Sequence, residues 1–136
     1  MLLCVALLAG CGGSSSVQAG RFAGKWGGHD RGLTITREGR GVETIDSGCC
    51  SRAVTLRFRL TKVWGTERPS ARAEVTYVHV YPHAGFTKKY PPPHVGEVGT
   101  LRIVKGVLYE PLGTQGDTYC NGETAKLNHA LAPCGA

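Results

Sequence analysis

The sequence predicts a small all-β domain, either an antiparallel β-barrel or a β-sandwich of about seven short strands. Three observations support this fold class. The 136 residues include 20 glycines and 7 prolines, which is typical of a turn-rich β domain and unusual in a helical bundle. Apolar and polar residues alternate strictly over residues 54–61, a period of two that a helix cannot produce. The length permits one domain.

The first elements in chain order are a short strand and a hairpin. Residues 22–26 are predicted to form a short strand, and residues 33–36 alternate as a second one. Residues 37–41 contain two glycines that can adopt positive φ, so they predict a turn, with residues 42–46 as the returning strand.

The clearest strand covers residues 53–63. The apolar residues of its alternation are Val54, Leu56, Phe58 and Leu60. Residues 71–81 predict a second long strand that is β-branched and aromatic on both faces. Residues 82–96 read as a long loop because they contain three consecutive prolines. Residues 100–104 and 107–110 predict a last hairpin across Lys105 and Gly106, followed by a tail.

The N-terminal residues predict where in the cell the protein is located. Residues 2–9 form an apolar run of the length of a signal-peptide core, too short to span a membrane. The segment Leu8-Ala9-Gly10-Cys11 that ends this region resembles the lipobox of bacterial lipoproteins. The resemblance implies cleavage before Cys11 and acylation of its thiol. We therefore expect a signal peptide at residues 1–10, a flexible lipid-anchored tether at 11–20 and a β-domain at 21–136, held on the outer face of the cell membrane.

A signal peptide usually begins with basic residues, and none precedes Arg21. We therefore expect a short basic stretch encoded upstream of Met1.

The cysteines fit an exported domain. After Cys4 in the signal peptide and the acylated Cys11, four remain: Cys49, Cys50, Cys120 and Cys134. An even number in a small exported domain predicts two disulfides. A bridge between the adjacent Cys49 and Cys50 would be strained, which leaves Cys49–Cys120 with Cys50–Cys134, or the crossed pairing. Either pairing would staple the C-terminal segment to the turn at residues 49–50.

The sequence contains no motif that indicates catalysis or cofactor binding. Nucleophile elbows, zinc-protease motifs and phosphate-binding glycine loops are all absent. His79 and His83 are four residues apart, but in a strand that spacing spans about 13 Å, too far for two ligands of one ion. We therefore expect no enzymatic activity, no cofactor and no metal site, and an extracytoplasmic protein is not expected to bind nucleic acid.

The net charge of +6 is unevenly distributed. Arg57 and Arg59 lie on one face of the long strand, with Lys62 beyond them. Such a stripe predicts contact with an anionic partner, either anionic lipid or a cell-wall polymer.

Two functions are open at this stage. The first is a non-catalytic binding module for a small apolar or anionic ligand or an envelope partner. The second is a structural or interaction protein that uses its basic face and has no ligand pocket. A pocket lined by Trp64, Tyr77 and Tyr81 would favour the first.

Two resemblances concern the mature chain. The segment 26–36, the turn at Cys49-Cys50 and the end from Tyr119 to Ala136 resemble small exported lipoproteins of actinobacteria, which implies no activity. The Gly24-Lys25-Trp26 start is similar to that of lipocalin-type barrels, in which a Trp near the first strand closes the barrel base. That likeness implies a buried Trp26 at one end of a barrel.

Overall fold

The computed structural model describes residues 17–46, 52–65, 70–82, 91–110 and 117–121. A short 3-10 helix at Gly20–Phe22 precedes eight strands. These are β1 Gly24–Gly28, β2 Arg31–Ile35, β3 Arg40–Asp46, β4 Arg52–Trp64, β5 Ser70–Pro82, β6 Val98–Val104, β7 Val107–Glu110 and β8 Asp117–Tyr119.

The eight strands form one antiparallel meander that closes into a barrel. Each strand pairs with the next along the chain, in the order β1 to β8. The first and last strands meet at Gly27 and Cys120, whose backbone N–H and C=O groups exchange two hydrogen bonds of 2.8 Å. The predicted all-β fold is confirmed, and the barrel alternative is the one that forms.

The described residues form eight strands, one more than the sequence predicts, because β8 lies in the segment that the sequence analysis treated as a tail. Three residues are too few to show an alternation. Pairing with β7 and the contact with β1 define this strand instead.

Two glycines allow close approaches within the barrel wall. A Cβ on Gly28 would lie 2.7 Å from the carbonyl oxygen of Thr118, at the seam between β1 and β8. A Cβ on Gly41 would lie 2.1 Å from the ring of Phe58, the residue opposite it on β4. A side chain at either position would therefore displace its neighbour.

The predicted hairpin turns are confirmed where the structure describes them. Gly39 adopts φ +75° in the β2–β3 turn. Lys105 and Gly106 have φ of 49° and 81° between β6 and β7, the two consecutive positive values of a type I′ turn. Of the predicted loop 82–96, residues 83–90 lie outside the described residues.

The chain enters the barrel at one end, which we call the near end. The Ala19 N–H donates to the Arg37 carbonyl at 2.9 Å, placing the entering segment on the β2–β3 turn. Since successive strands run antiparallel, the β4–β5 connection and the β6–β7 turn lie at the same end. The other connections lie at the opposite end, which we call the far end.

Apolar side chains cover the near end of the interior. Phe22 is fully buried and Trp26 almost so, and the Trp26 Nε1–H donates to the Phe22 carbonyl at 3.0 Å. Trp26 thus lies at the base of the barrel. Ala19 is also buried in this cluster, and Val17 packs against it. The packed chain therefore includes residues that the sequence analysis placed in the tether.

Candidate functional site in the barrel interior

Four polar side chains converge inside an otherwise apolar barrel. They come from four strands: Glu43 from β3, Tyr77 from β5, Glu110 from β7 and Tyr119 from β8. Each is at most 1% exposed. We call this group the carboxyl–tyrosine cluster.

Strand alternation directs both carboxyl groups inward. Glu43 lies two residues from Gly41 and two from Ile45, on the face of β3 that points into the barrel. Glu110 follows the buried Leu108 by two residues on β7. Because side chains of a strand alternate between its faces, the apolar neighbours fix the position of each glutamate.

Hydrogen bonds connect the four side chains into one network. The Tyr77 hydroxyl donates to Glu110 Oε1 at 3.1 Å. The Tyr119 hydroxyl donates to Glu43 Oε1 and lies 3.4 Å from Glu110 Oε2. Tyr119 therefore contacts both carboxyl groups, and both phenols direct a donor toward the same place.

The pKa of Glu110 is raised well above its ordinary value. Burial is the main cause, followed by the charge of Glu43 and a hydrogen bond with Glu43. The hydrogen bond from Tyr77 and the charge of Arg31 on β2 oppose the shift. Two carboxyl groups in contact away from water cannot both ionise easily. Glu110 therefore keeps its proton at pH values where an exposed carboxyl group has lost it.

The phenols of the cluster remain protonated donors. Burial, followed by the charges of the two glutamates, raises the pKa of Tyr77 and of Tyr119 above the ordinary range of a tyrosine. The cluster thus comprises two phenol donors and a carboxyl pair that holds a proton to a higher pH than exposed carboxyl groups do.

Apolar and aromatic side chains surround this cluster. Leu33 on β2 and Leu56 on β4 are the cross-strand partners of Glu43, and Trp26 is the partner of Leu33 on β1. Phe58 packs edge-on against Tyr77, with ring centroids 6.1 Å apart. The interior thus presents a few converging polar groups within aromatic and aliphatic walls.

The predicted basic stripe lies on the outside of the barrel. Arg57 and Arg59 are exposed on β4, on the face opposite the interior. Lys62 Nζ lies 3.6 Å from a carboxylate oxygen of Glu74 and 6.0 Å from the centre of the Trp64 ring. The stripe is therefore separate from the carboxyl–tyrosine cluster, and one of its three cations already has a carboxylate partner.

The structure does not bring Trp64, Tyr77 and Tyr81 together in one pocket. Tyr77 is buried inside the barrel, whereas Trp64 is 43% and Tyr81 46% exposed. Trp64 ends β4 at the near end, and Tyr81 pairs with Thr55 toward the far end. Register shifts within the β4–β5 pair change which residues face inward, and the sequence does not reveal them.

Of the five cysteines predicted to be acylated or disulfide-bonded, only Cys120 lies within the described residues. It is disulfide-bonded and lies at the barrel seam. Cys11, Cys49, Cys50 and Cys134 lie outside the described residues, so the acylation and the choice between pairings stay predictions.

The described part of the chain contains no group of three or more His, Cys, Asp or Glu side chains that could hold a metal ion. Within the same ranges, no helix is long and apolar enough to cross a membrane.

Sequence reasoning missed the carboxyl–tyrosine cluster entirely. The available signal was the alternation along each strand, which places Glu43 on the same face as Ile45 and Glu110 on the same face as Leu108. An acidic residue at an inward position of a short strand is easily mistaken for the polar end of that strand.

Comparison of the chain with protein-family models, curated proteins and solved structures found no match.

Proposed function

We propose that this protein is a lipid-anchored binding module on the outer face of the cell membrane, and that its barrel interior holds a small ligand at the carboxyl–tyrosine cluster. The anchor would be Cys11, within the lipobox-like segment. The activity is binding and not catalysis. The observation that supports the proposal is the convergence of Glu43, Tyr77, Glu110 and Tyr119 on one place inside the barrel.

The architecture suits this role. An eight-stranded barrel has an interior wide enough to be filled by side chains or to hold one small ligand. Small-molecule sites combine mostly apolar and aromatic walls with a few placed polar groups. The interior around Glu43 has that composition.

The carboxyl pair is also costly for folding, which argues for a role beyond stability. Taking two carboxyl groups out of water costs free energy that apolar side chains of similar volume do not cost. Strongly perturbed titratable groups cluster at functional sites. Leu or Met at positions 43 and 110 would complete the apolar core at lower cost, so the glutamates suggest a ligand.

The ligand that fits best is a small cation with an apolar body, such as an aromatic amine. An ammonium group can take the place of the proton that Glu110 retains and leave both carboxylates charged and paired. The aromatic walls favour an apolar or aromatic body. An anion would be repelled by the same carboxyl pair, so we propose a cation in place of the anionic ligand that the basic net charge suggested.

A matched pair of small molecules tests the proposal. Phenethylamine and 3-phenylpropionate have similar shapes and opposite charges, and Trp26 fluorescence at the barrel base can report their binding. We expect the amine to bind, and to bind more tightly as the pH rises from 5 to 8, because it competes with the proton on Glu110. We expect the anion not to bind.

Variants locate the site. Glu110→Gln should weaken binding of the amine by at least about tenfold, because an amide cannot pair with the ammonium group. Glu38→Gln removes a fully exposed carboxylate in the β2–β3 turn and should change nothing. Binding of the anion in preference to the amine, or equal binding by both variants, would contradict the proposal.

A further inference from the structure

We propose that the near end of the barrel docks onto an anionic lipid bilayer through a surface formed by Trp64, Arg72, Arg102 and Val104. We call this surface the Trp64 patch. It is distinct from the Arg57–Arg59 stripe and from the carboxyl–tyrosine cluster.

The patch is a cross-strand row on the outer face of the sheet. Trp64 on β4 pairs with Arg72 on β5, and Arg72 pairs with Arg102 on β6. The Arg72 guanidinium lies over the Trp64 ring, 5.4 Å from its centre. The register thus places an indole and two guanidinium groups side by side.

The two arginines are an unfavourable pair unless an anion joins them. Like charges directly opposite each other on neighbouring strands destabilise a sheet. Neither Arg72 nor Arg102 forms an ion pair with a carboxylate of the described residues. A lipid phosphate between them would remove the repulsion and take bidentate hydrogen bonds.

The patch also exposes apolar surface beside its charges. Trp64 is 43% and Val104 38% exposed. Together with the two arginines they line an open cleft of about 340 Å³. Trp favours the headgroup level of a bilayer, where one part of the ring is apolar and the other wet. A cell-wall polymer would satisfy the arginines but would leave the indole and Val104 in water, so the bilayer is the better match.

The position of the patch agrees with the anchor. Val17 and Ala19 pack at the near end, the end where β4 and β6 finish and β5 begins. Five residues lie between Cys11 and Val17, so the six steps from one Cα to the other reach at most about 22 Å. If Cys11 is acylated as proposed, the near end is held within that distance of the bilayer. This orientation rests on the proposed function, whereas the surface chemistry does not.

Vesicle binding tests the patch without the anchor. The full chain with Cys11→Ser cannot be acylated there, and it is mixed with phosphatidylcholine vesicles with or without 30 mol% phosphatidylglycerol. We expect stronger binding to the phosphatidylglycerol vesicles and a blue shift of Trp emission. The shift should disappear in Trp64→Phe, which retains only the buried Trp26.

Charge variants distinguish binding through the Trp64 patch from attraction of the vesicles by the net charge of the protein. Arg72→Gln with Arg102→Gln should reduce the preference for phosphatidylglycerol by about 30-fold, about fivefold for each cation near the surface. Arg57→Gln with Arg59→Gln removes the same charge from the other basic surface, and thermal unfolding checks that both variants fold. Equal losses in the two variants would overturn the proposal in favour of net charge. No preference for phosphatidylglycerol, or no blue shift, would overturn it as well.

All variants share the same N-terminus, so any lipid affinity of residues 2–9 cancels in the comparison. Failure of phenethylamine binding with intact vesicle binding would refute the ligand site alone. The reverse result would refute the docking surface alone.

Discussion

Replacing Glu110 with Gln should change how the stability of the barrel depends on pH. In the folded protein burial and Glu43 raise the pKa of Glu110, while in the unfolded chain it titrates near 4.3. Between those two values the folded state holds a proton that the unfolded state has lost. The stabilisation from this proton is complete below about pH 4.3 and is lost as the pH rises through the folded pKa.

The magnitude of this pH dependence follows from the one proton by which the folded and unfolded states differ. A difference of one bound proton changes the free energy of unfolding by about 1.4 kcal/mol per pH unit. The free energy of unfolding should therefore fall at about this rate between pH 5 and the pKa that Glu110 has in the folded protein. In Glu110→Gln the side chain is neutral at every pH, and this slope should disappear.

Urea unfolding at pH 5, 6, 7 and 8, followed by Trp fluorescence, measures the slope. Glu38→Gln is the matched control. The pKa of Glu38 is lowered, mainly by a backbone hydrogen bond, so its contribution to stability is lost only as the pH falls, below the range tested. A slope that is the same in Glu110→Gln and in the unsubstituted chain would refute the assigned charge state of the cluster.

Three further predictions concern packing, the seam and the anchor. Gly41→Ala places a Cβ 2.1 Å from the ring of Phe58 and should lower the free energy of unfolding by about 1–3 kcal/mol; an unchanged urea midpoint would contradict this packing. Cys120→Ser breaks a disulfide at the residue that pairs with Gly27 and should cost about 2–5 kcal/mol, and equal unfolding curves under oxidising conditions would exclude a stabilising role. When membranes are washed with 1 M salt, which screens surface charge, the Cys11→Ser variant should be released and the unsubstituted protein should stay bound. Release of both proteins would count against the anchor.

The long strand β4 could be predicted from the sequence because the alternation over residues 54–61 is uninterrupted. The apolar face from Val54 to Leu60 is buried along its whole length, and the predicted strand at 53–63 differs from β4 by one residue at each end. The Lys105–Gly106 turn was predictable for a similar local reason, since Gly tolerates the positive φ that such a turn requires.

The features that depend on contacts distant in the chain could not be predicted. β8 is defined by pairing with β7 and by the seam with β1. The cluster joins Glu43 to Tyr119, which lie 76 positions apart. No local pattern encodes such a contact, because barrel closure alone brings these strands to one interior. The register shifts in the β4–β5 pair depend likewise on a partner strand. They accompany a buried Tyr77 and an exposed Trp64, two residues that the sequence analysis considered as the lining of one possible pocket.

The central claim is that the barrel interior holds a small ligand at the carboxyl–tyrosine cluster. Native mass spectrometry of the protein extracted from membranes in mild detergent tests it most directly. We predict a bound mass of a few hundred daltons that is lost on denaturation and is absent from the double variant Glu43→Gln with Glu110→Gln, but present in Glu38→Gln. The mass of the acylated chain alone in every sample, or a bound mass that both variants retain, would contradict the claim.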